Sequence, residues 1–211
     1  MKKTQYLLTA ASALAMVAST MPAMAKEAGD WIIRARAIVV EPDESADITA
    51  IGGSVNIDTA VMPELDFTYF FTDNIAAELI LAVSPHDITA VNTALGDVPV
   101  GNTTLLPPTL TLQYHFFPRE QMSPYVGVGV NYTHFFDVDA TGPTVTDVKL
   151  DDSFGVALQA GIDFAINDRW LVNADVKKIW INTDATLNGG AIEADVDINP
   201  WVFGLGVGYR F

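Results

Sequence analysis

The sequence predicts an all-β fold, an eight-stranded antiparallel transmembrane β-barrel of the outer-membrane type. Three observations carry that prediction. Apolar and polar residues alternate with period two through eight segments. An export signal opens the chain. Nothing after it offers the ~18 consecutive apolar residues of a membrane helix, although mean hydropathy is positive. Only helices and closed barrels satisfy every backbone group in lipid, so an apolar exported chain without helical spans points to a barrel.

The signal comes first. Lys2 and Lys3 form a positive n-region, "YLLTAASALAMVAS" an apolar core, and Ala23-Met24-Ala25 a small-x-small cleavage site. Residues 1–25 are therefore expected to be a cleaved signal peptide and 26–211 a single transmembrane barrel with no linker. The signal contains no acid, so its loss takes the formal charge from −15 to −17. Such a chain repels phosphate backbones, which argues against a nucleic-acid partner. Cysteine is absent, which in an exported protein excludes a disulfide scaffold.

The eight strands follow in order. "WIIRARAIVV" sets Trp31, Ile33, Ala35, Ala37 and Val39 against Arg34 and Arg36. "ELDFTYFF" sets Leu65, Phe67, Tyr69 and Phe71 against Glu64, Asp66 and Thr68. "IAAELILAV" sets Ile75, Ala77, Leu79, Leu81 and Val83 against Glu78 and Ile80. "LPPTLTLQYHFF" sets Leu110, Leu112, Tyr114 and Phe116 against Thr109, Thr111, Gln113 and His115. "YVGVGVNYTHF" and "SFGVALQAGIDF" alternate valine, leucine and aromatics with glycine, Asn131, Gln159 and Asp163. "WLVNADVKK" sets Trp170, Val172, Ala174 and Val176 against Asn173, Asp175 and Lys177. "WVFGLGVGYRF" sets Trp201, Phe203, Leu205, Val207, Tyr209 and Phe211 against Val202, Gly204, Gly206, Gly208 and Arg210. Short turns surround Thr72-Asp73-Asn74, Pro118 to Ser123, and Ile166-Asn167-Asp168. Long Asp/Thr/Gly-rich loops are expected over about 41–54, 84–103, 137–152 and 182–196, the opposite rim of an outer-membrane barrel. A soluble eight-stranded lipocalin-type barrel would face its charges outward. Here charges interleave with glycine on one face, as a narrow lumen requires.

The motifs also resemble a known family of small Gram-negative barrels, the outer membrane protein W (OmpW) family. They are "KEAGDW", "TDNIAAEL", "LPPTLTLQYHF", "PYVGVGVNYTHFF", "DSFGVALQAGIDFAIN" and "NPWVFGLGVGYRF", in order over nearly the whole chain after the signal. The resemblance implies a monomeric channel in the cell outer membrane that passes small hydrophobic molecules, released sideways into the membrane. The chain departs from the family pattern at Asn199, where Asp is frequent, and at Lys177, where an aromatic can point inward.

Strand parity sorts the inward residues by height. Arg34, Arg36, Glu64, Asp66 and Glu78 are expected near the periplasmic turns as a charged plug. Ile38, Val40, Ile80, Leu105, Pro107 and Phe135 are expected above it as a hydrophobic lumen. Such walls suit an apolar solute, although side chains of small barrels also serve simply as filling. Lys177 is expected to pair with a lumen carboxylate such as Asp175 or Glu78. Pro107 and Pro108 cannot donate ladder hydrogen bonds, so a gap in the wall is expected there.

Other chemistries find little support. "GLGVG" and "GVGVG" lack phosphate-loop spacing. The run from Asp137 lacks the Glu of a calcium loop at its twelfth position, Val148. His86, His115 and His134 have no zinc spacing, and no nucleophile elbow supports a hydrolase. No catalytic residue, metal ligand or cofactor site is assigned. The expected partners are outer-membrane lipids, a small hydrophobic solute and, through Tyr209 and Phe211 as a C-terminal assembly signal, the barrel-assembly machinery. The competing reading is a non-conducting structural or surface-interaction protein presenting its acidic loops.

Overall fold

A computed structural model describes residues 26–49, 51–141 and 144–211. The expected signal peptide, residues 1–25, lies outside the described residues. Fifteen strands occur among those that are described. They run β1 (Trp31–Glu41), β2 (Ser45–Ile48), β3 (Ser54–Ile57), β4 (Ala60–Phe70) and β5 (Ile75–Ala82). Next come β6 (Ser84–Thr93), β7 (Gly96–Leu106), β8 (Thr109–His115), β9 (Met122–Ala140) and β10 (Val148–Leu150). The last are β11 (Ser153–Ala165), β12 (Trp170–Ile179), β13 (Asn182–Leu187), β14 (Ile192–Asp197) and β15 (Trp201–Arg210).

Eight of them, β1, β4, β5, β8, β9, β11, β12 and β15, pair antiparallel in that order. The ring closes where β15 pairs with β1, Arg34 opposite Gly208 and Arg36 opposite Gly206. Outward residues keep large apolar surface exposed, among them Val128, Phe154 and Leu205. Such a belt is stable only against hydrocarbon. Aromatic pairs mark its lower rim, including Trp31 with Tyr69 and Trp170 with Tyr209. Phe211 donates its backbone N–H to Trp31 across the seam at 2.9 Å.

The three glycines of the last strand are explained by what they face. A β-carbon on Gly208 would come within 3.0 Å of the Arg34 stem, and one on Gly204 within 3.2 Å of the Arg36 stem. The bore has room for two arginines because the opposing strand carries no side chains there.

The four segments expected as long loops are corrected. They contain all or most of β2, β6, β7, β10, β13 and β14 and the first residue of β3, and these strands extend the wall beyond the membrane belt. β10, β13, β14 and β2 form one flap; β3, β6, β7 and the upper half of β9 form the other. Their Asp, Thr and Gly content comes from strands with a wet outer face and from tight turns. "IEADVDI" shows the pattern: Ala194 and Val196 are buried while Glu193, Asp195 and Asp197 are exposed.

Candidate functional site: an apolar lumen above a charged plug

Consecutive inward positions of β1 run from Arg34 and Arg36 to Ile38 and Val40, and the lumen changes character between them. Below that level lies a buried ion network. Arg34 donates to Asp66 at 3.0 Å, to Glu78 at 3.3 Å, and through two nitrogens to Asp163 at 3.2 and 2.8 Å. Arg36 donates to Glu64 at 2.8 Å, Glu78 at 3.0 Å and Asn173 at 2.7 Å. It also lies 3.1 Å from the second oxygen of Asp66 without hydrogen-bond alignment. Charges removed from water persist only when paired and hydrogen-bonded, and the crowding of partners meets that requirement. All five residues of the expected plug therefore sit in one cluster.

Other inward residues of the same strands join the cluster, and so do Tyr125 and Lys26, for which the sequence gives no sign. Of the two carboxylates expected for Lys177, it donates to Asp175 at 2.7 Å and makes no direct bond to Glu78; its other partner is Glu64 at 2.8 Å. Gln113 and Gln159 each donate to Glu78 at 2.7 Å, and the Tyr125 hydroxyl donates to Asp175 at 2.8 Å. Lys26 reaches in from the periplasmic side, donating to Asp163 at 2.8 Å, with His115 3.0 Å away. Its backbone N–H bonds Pro118 in the β8–β9 turn, so residues 26–30 cross the mouth from β1 to the opposite wall. Parity identified the inward side of most of these residues; which ones meet across the bore depends on tertiary register.

Above the plug lie two adjoining chambers that share part of their lining. The lower, about 570 Å³ including its openings, is lined by Ile38, Val40, Ile80, Leu105 and Pro107, with Glu64 and Lys177 as its floor. The upper, about 780 Å³ on the same measure, lies between the two flaps against Phe135, Ile88, Val100, Leu187 and Val196. The six expected lumen residues are thus distributed over both chambers. The upper chamber's other walls come from segments expected as loops, and their period two was the signal that identifies them. Leu105, Ile198 and His86 line both chambers and form the waist.

The wall of the lower chamber is interrupted. The β5–β8 ladder ends at the Ile80–Thr109 pair, and β6–β7 pairing resumes at Ser84–Leu105. Among the described residues no ladder pair joins 81–83 to 106–108 between those points. On the other flank the proline segment stays attached to β9: Tyr132 donates its backbone N–H to Pro108 at 3.1 Å, and Asn131 donates to Pro107 at 3.3 Å. The gap expected at the prolines is therefore one-sided.

His86 lies above the membrane belt. Its Nδ1 is 2.8 Å from the Asp58 carbonyl, which only accepts, so Nδ1 carries the hydrogen. Nε2 then accepts from the Ser84 hydroxyl at 2.5 Å. Burial holds this imidazole below its ordinary pKa, and the ring is neutral.

The OmpW family model matches residues 27–211. Outer membrane protein W of Vibrio cholerae is 40% identical over 92% of this chain and 94% of its own length. The crystal structure of the outer membrane protein OprG from Pseudomonas aeruginosa superposes with a TM-score of 0.82 at 35% identity, covering 90% of this chain and 99% of that one. A more distant relative, 28% identical over 88% of this chain and 90% of its own, is the dibenzothiophene metabolism operon protein PahQ of Pseudomonas aeruginosa. With its closed ring of eight strands and its match over nearly all the described residues, the chain belongs to the OmpW family of outer-membrane β-barrels.

Proposed function

We propose that the barrel is a passive channel for small hydrophobic molecules that enter between the flaps and leave sideways into the membrane. The observation that carries this reading is the apolar path through two chambers that ends on a charged floor beside a one-sided gap in the wall. An apolar solute displaces weakly held water from such walls. The buried plug and the Lys26 arm oppose a straight exit to the periplasm, because parting paired charges in a narrow bore is costly. In this reading the unpaired stretch at Pro107, which lines the lower chamber, is the exit toward lipid. The relation to PahQ, whose name ties it to dibenzothiophene metabolism, supports an apolar substrate class. In this reading the barrel needs no cofactor and works as a monomer, and Tyr209 and Phe211 form the signal for the barrel-assembly machinery.

The test is uptake of naphthalene by cells lacking the protein and by the same cells expressing wild type or Ile80→Arg. Wild type is expected to speed uptake. Ile80→Arg is expected to abolish the gain while the barrel still assembles, shown by heat-modifiable migration on gels. Equal uptake in all three strains would favour the non-conducting structural or surface-interaction reading.

A further inference from the structure

The waist between the chambers has a directional hydrogen-bonding chemistry that the apolar walls do not. Its polar side chain is His86, 6% exposed, whose hydrogen-bond partner Ser84, 4% exposed, lines the lower chamber just below. Each hydrogen they own is already committed. The Nδ1 hydrogen of His86 goes to the Asp58 carbonyl and the Ser84 hydroxyl hydrogen goes to Nε2 of His86. The ring therefore has nothing further to offer, whereas the Ser84 oxygen keeps acceptor capacity. Neighbouring hydroxyls are directed at backbone carbonyls: Thr109 donates to Pro107 at 3.1 Å, Thr183 to Asp151 at 2.6 Å and, more loosely, Thr103 to Phe136 at 3.5 Å.

We infer that Ser84, oriented by His86, is a binding position that accepts a hydrogen bond, so that the lumen prefers apolar solutes carrying one hydrogen-bond donor, such as a phenolic hydroxyl. This rests on the reading of the chambers as a solute site and adds to it the class of solute. A donor head docks on Ser84 while the apolar body fills the lower chamber. A head that only accepts finds no free hydrogen on Ser84 or His86 and is desolvated there without compensation. His86 acts here as a positioning residue, because it fixes where the serine hydrogen points.

Three fluorescent probes of one shape separate the possibilities: naphthalene, 2-naphthol and 2-methoxynaphthalene. Their binding to the full barrel in nanodiscs is measured by titration, independently of transport. Wild type is expected to bind 2-naphthol about three- to tenfold more tightly than the other two, the range of one net hydrogen bond. In His86→Phe the serine hydrogen is released, and 2-methoxynaphthalene is expected to gain on naphthalene. In Ser84→Ala/His86→Phe all three probes are expected to bind alike. A merely structural role would weaken all three together and leave their ratios unchanged, which would overturn the proposal. Equal binding of the naphthol and the methoxy compound to wild type would overturn it too. A naphthol preference retained by the double variant would move the acceptor to Glu64 in the floor and sink the assignment to Ser84. Absence of any naphthalene binding to the folded barrel would instead remove the solute site itself, and this inference with it.

Discussion

The lower barrel and the extracellular flaps are built on the same alternation with opposite chemistry. In the lower barrel, below the level of Ile38 and Ile80, the inward residues are mostly charged, amide and hydroxyl side chains and the outward ones are apolar. In the flaps the inward residues are Ile57, Val100, Leu187 and Val196, and acids such as Asp47, Asp184 and Asp195 face out. The solvent outside each half explains the difference. Hydrocarbon surrounds the lower wall and water the upper one, so the side chains that each solvent rejects turn inward. β9 passes through both regimes, with Asn131 and Thr133 inward below and Phe135 inward above. A cavity that is apolar at the top and charged at the bottom is the consequence.

The sharpest break of this contrast is removal of one plug cation. Arg34→Ala leaves Asp66 and Asp163 buried without a main partner and is expected to cost about 3–5 kcal/mol, read as a lower urea midpoint of the lipid-reconstituted barrel. Unchanged stability would mean that the plug is hydrated or loosely held. Next comes a matched pair of outward substitutions. Leu205→Arg faces lipid and is expected to cost about 2–4 kcal/mol. Glu193→Arg on the flap faces water and should stay within about 0.5 kcal/mol. Similar costs at both sites would end the claim that the two halves meet different solvents. The smallest effect concerns His86. Because its pKa is lowered in the fold, the unfolded chain binds the proton first as pH falls below about 6.5, so acidification slightly lowers stability. A pH titration followed by imidazole NMR is expected to give a midpoint below that value, and one above it would contradict the buried, neutral ring.

Much of the membrane half was legible because period two is a local property. Arg34, Glu64, Asp66 and Glu78 declared their inward side by position alone, and so did Ile38 and Ile80. The upper chamber was legible only in part. Asp, Thr and Gly content suggested loops over 182–196, although "IEADVDI" alternates as regularly as any membrane strand. Composition misled there because a strand washed by water on one face has the acids of a loop and the apolar period of a sheet. Lys26 carried no comparable sign. It precedes the first strand, and nothing in "KEAGDW" tells that its ammonium group is buried against Asp163, 137 positions away.

By itself the sequence determined the all-β barrel, the order of its eight membrane strands, the parity of each and part of the lining of the lower chamber, because these follow from alternation and turn chemistry along neighbouring residues. Tertiary structure alone decided which charges meet in the plug, that the flaps enclose a second chamber, and that His86 stands at the waist with Ser84 just below it. Each of those depends on register between strands distant in the chain, and pairing across a bore is a property of the closed ring rather than of any one strand.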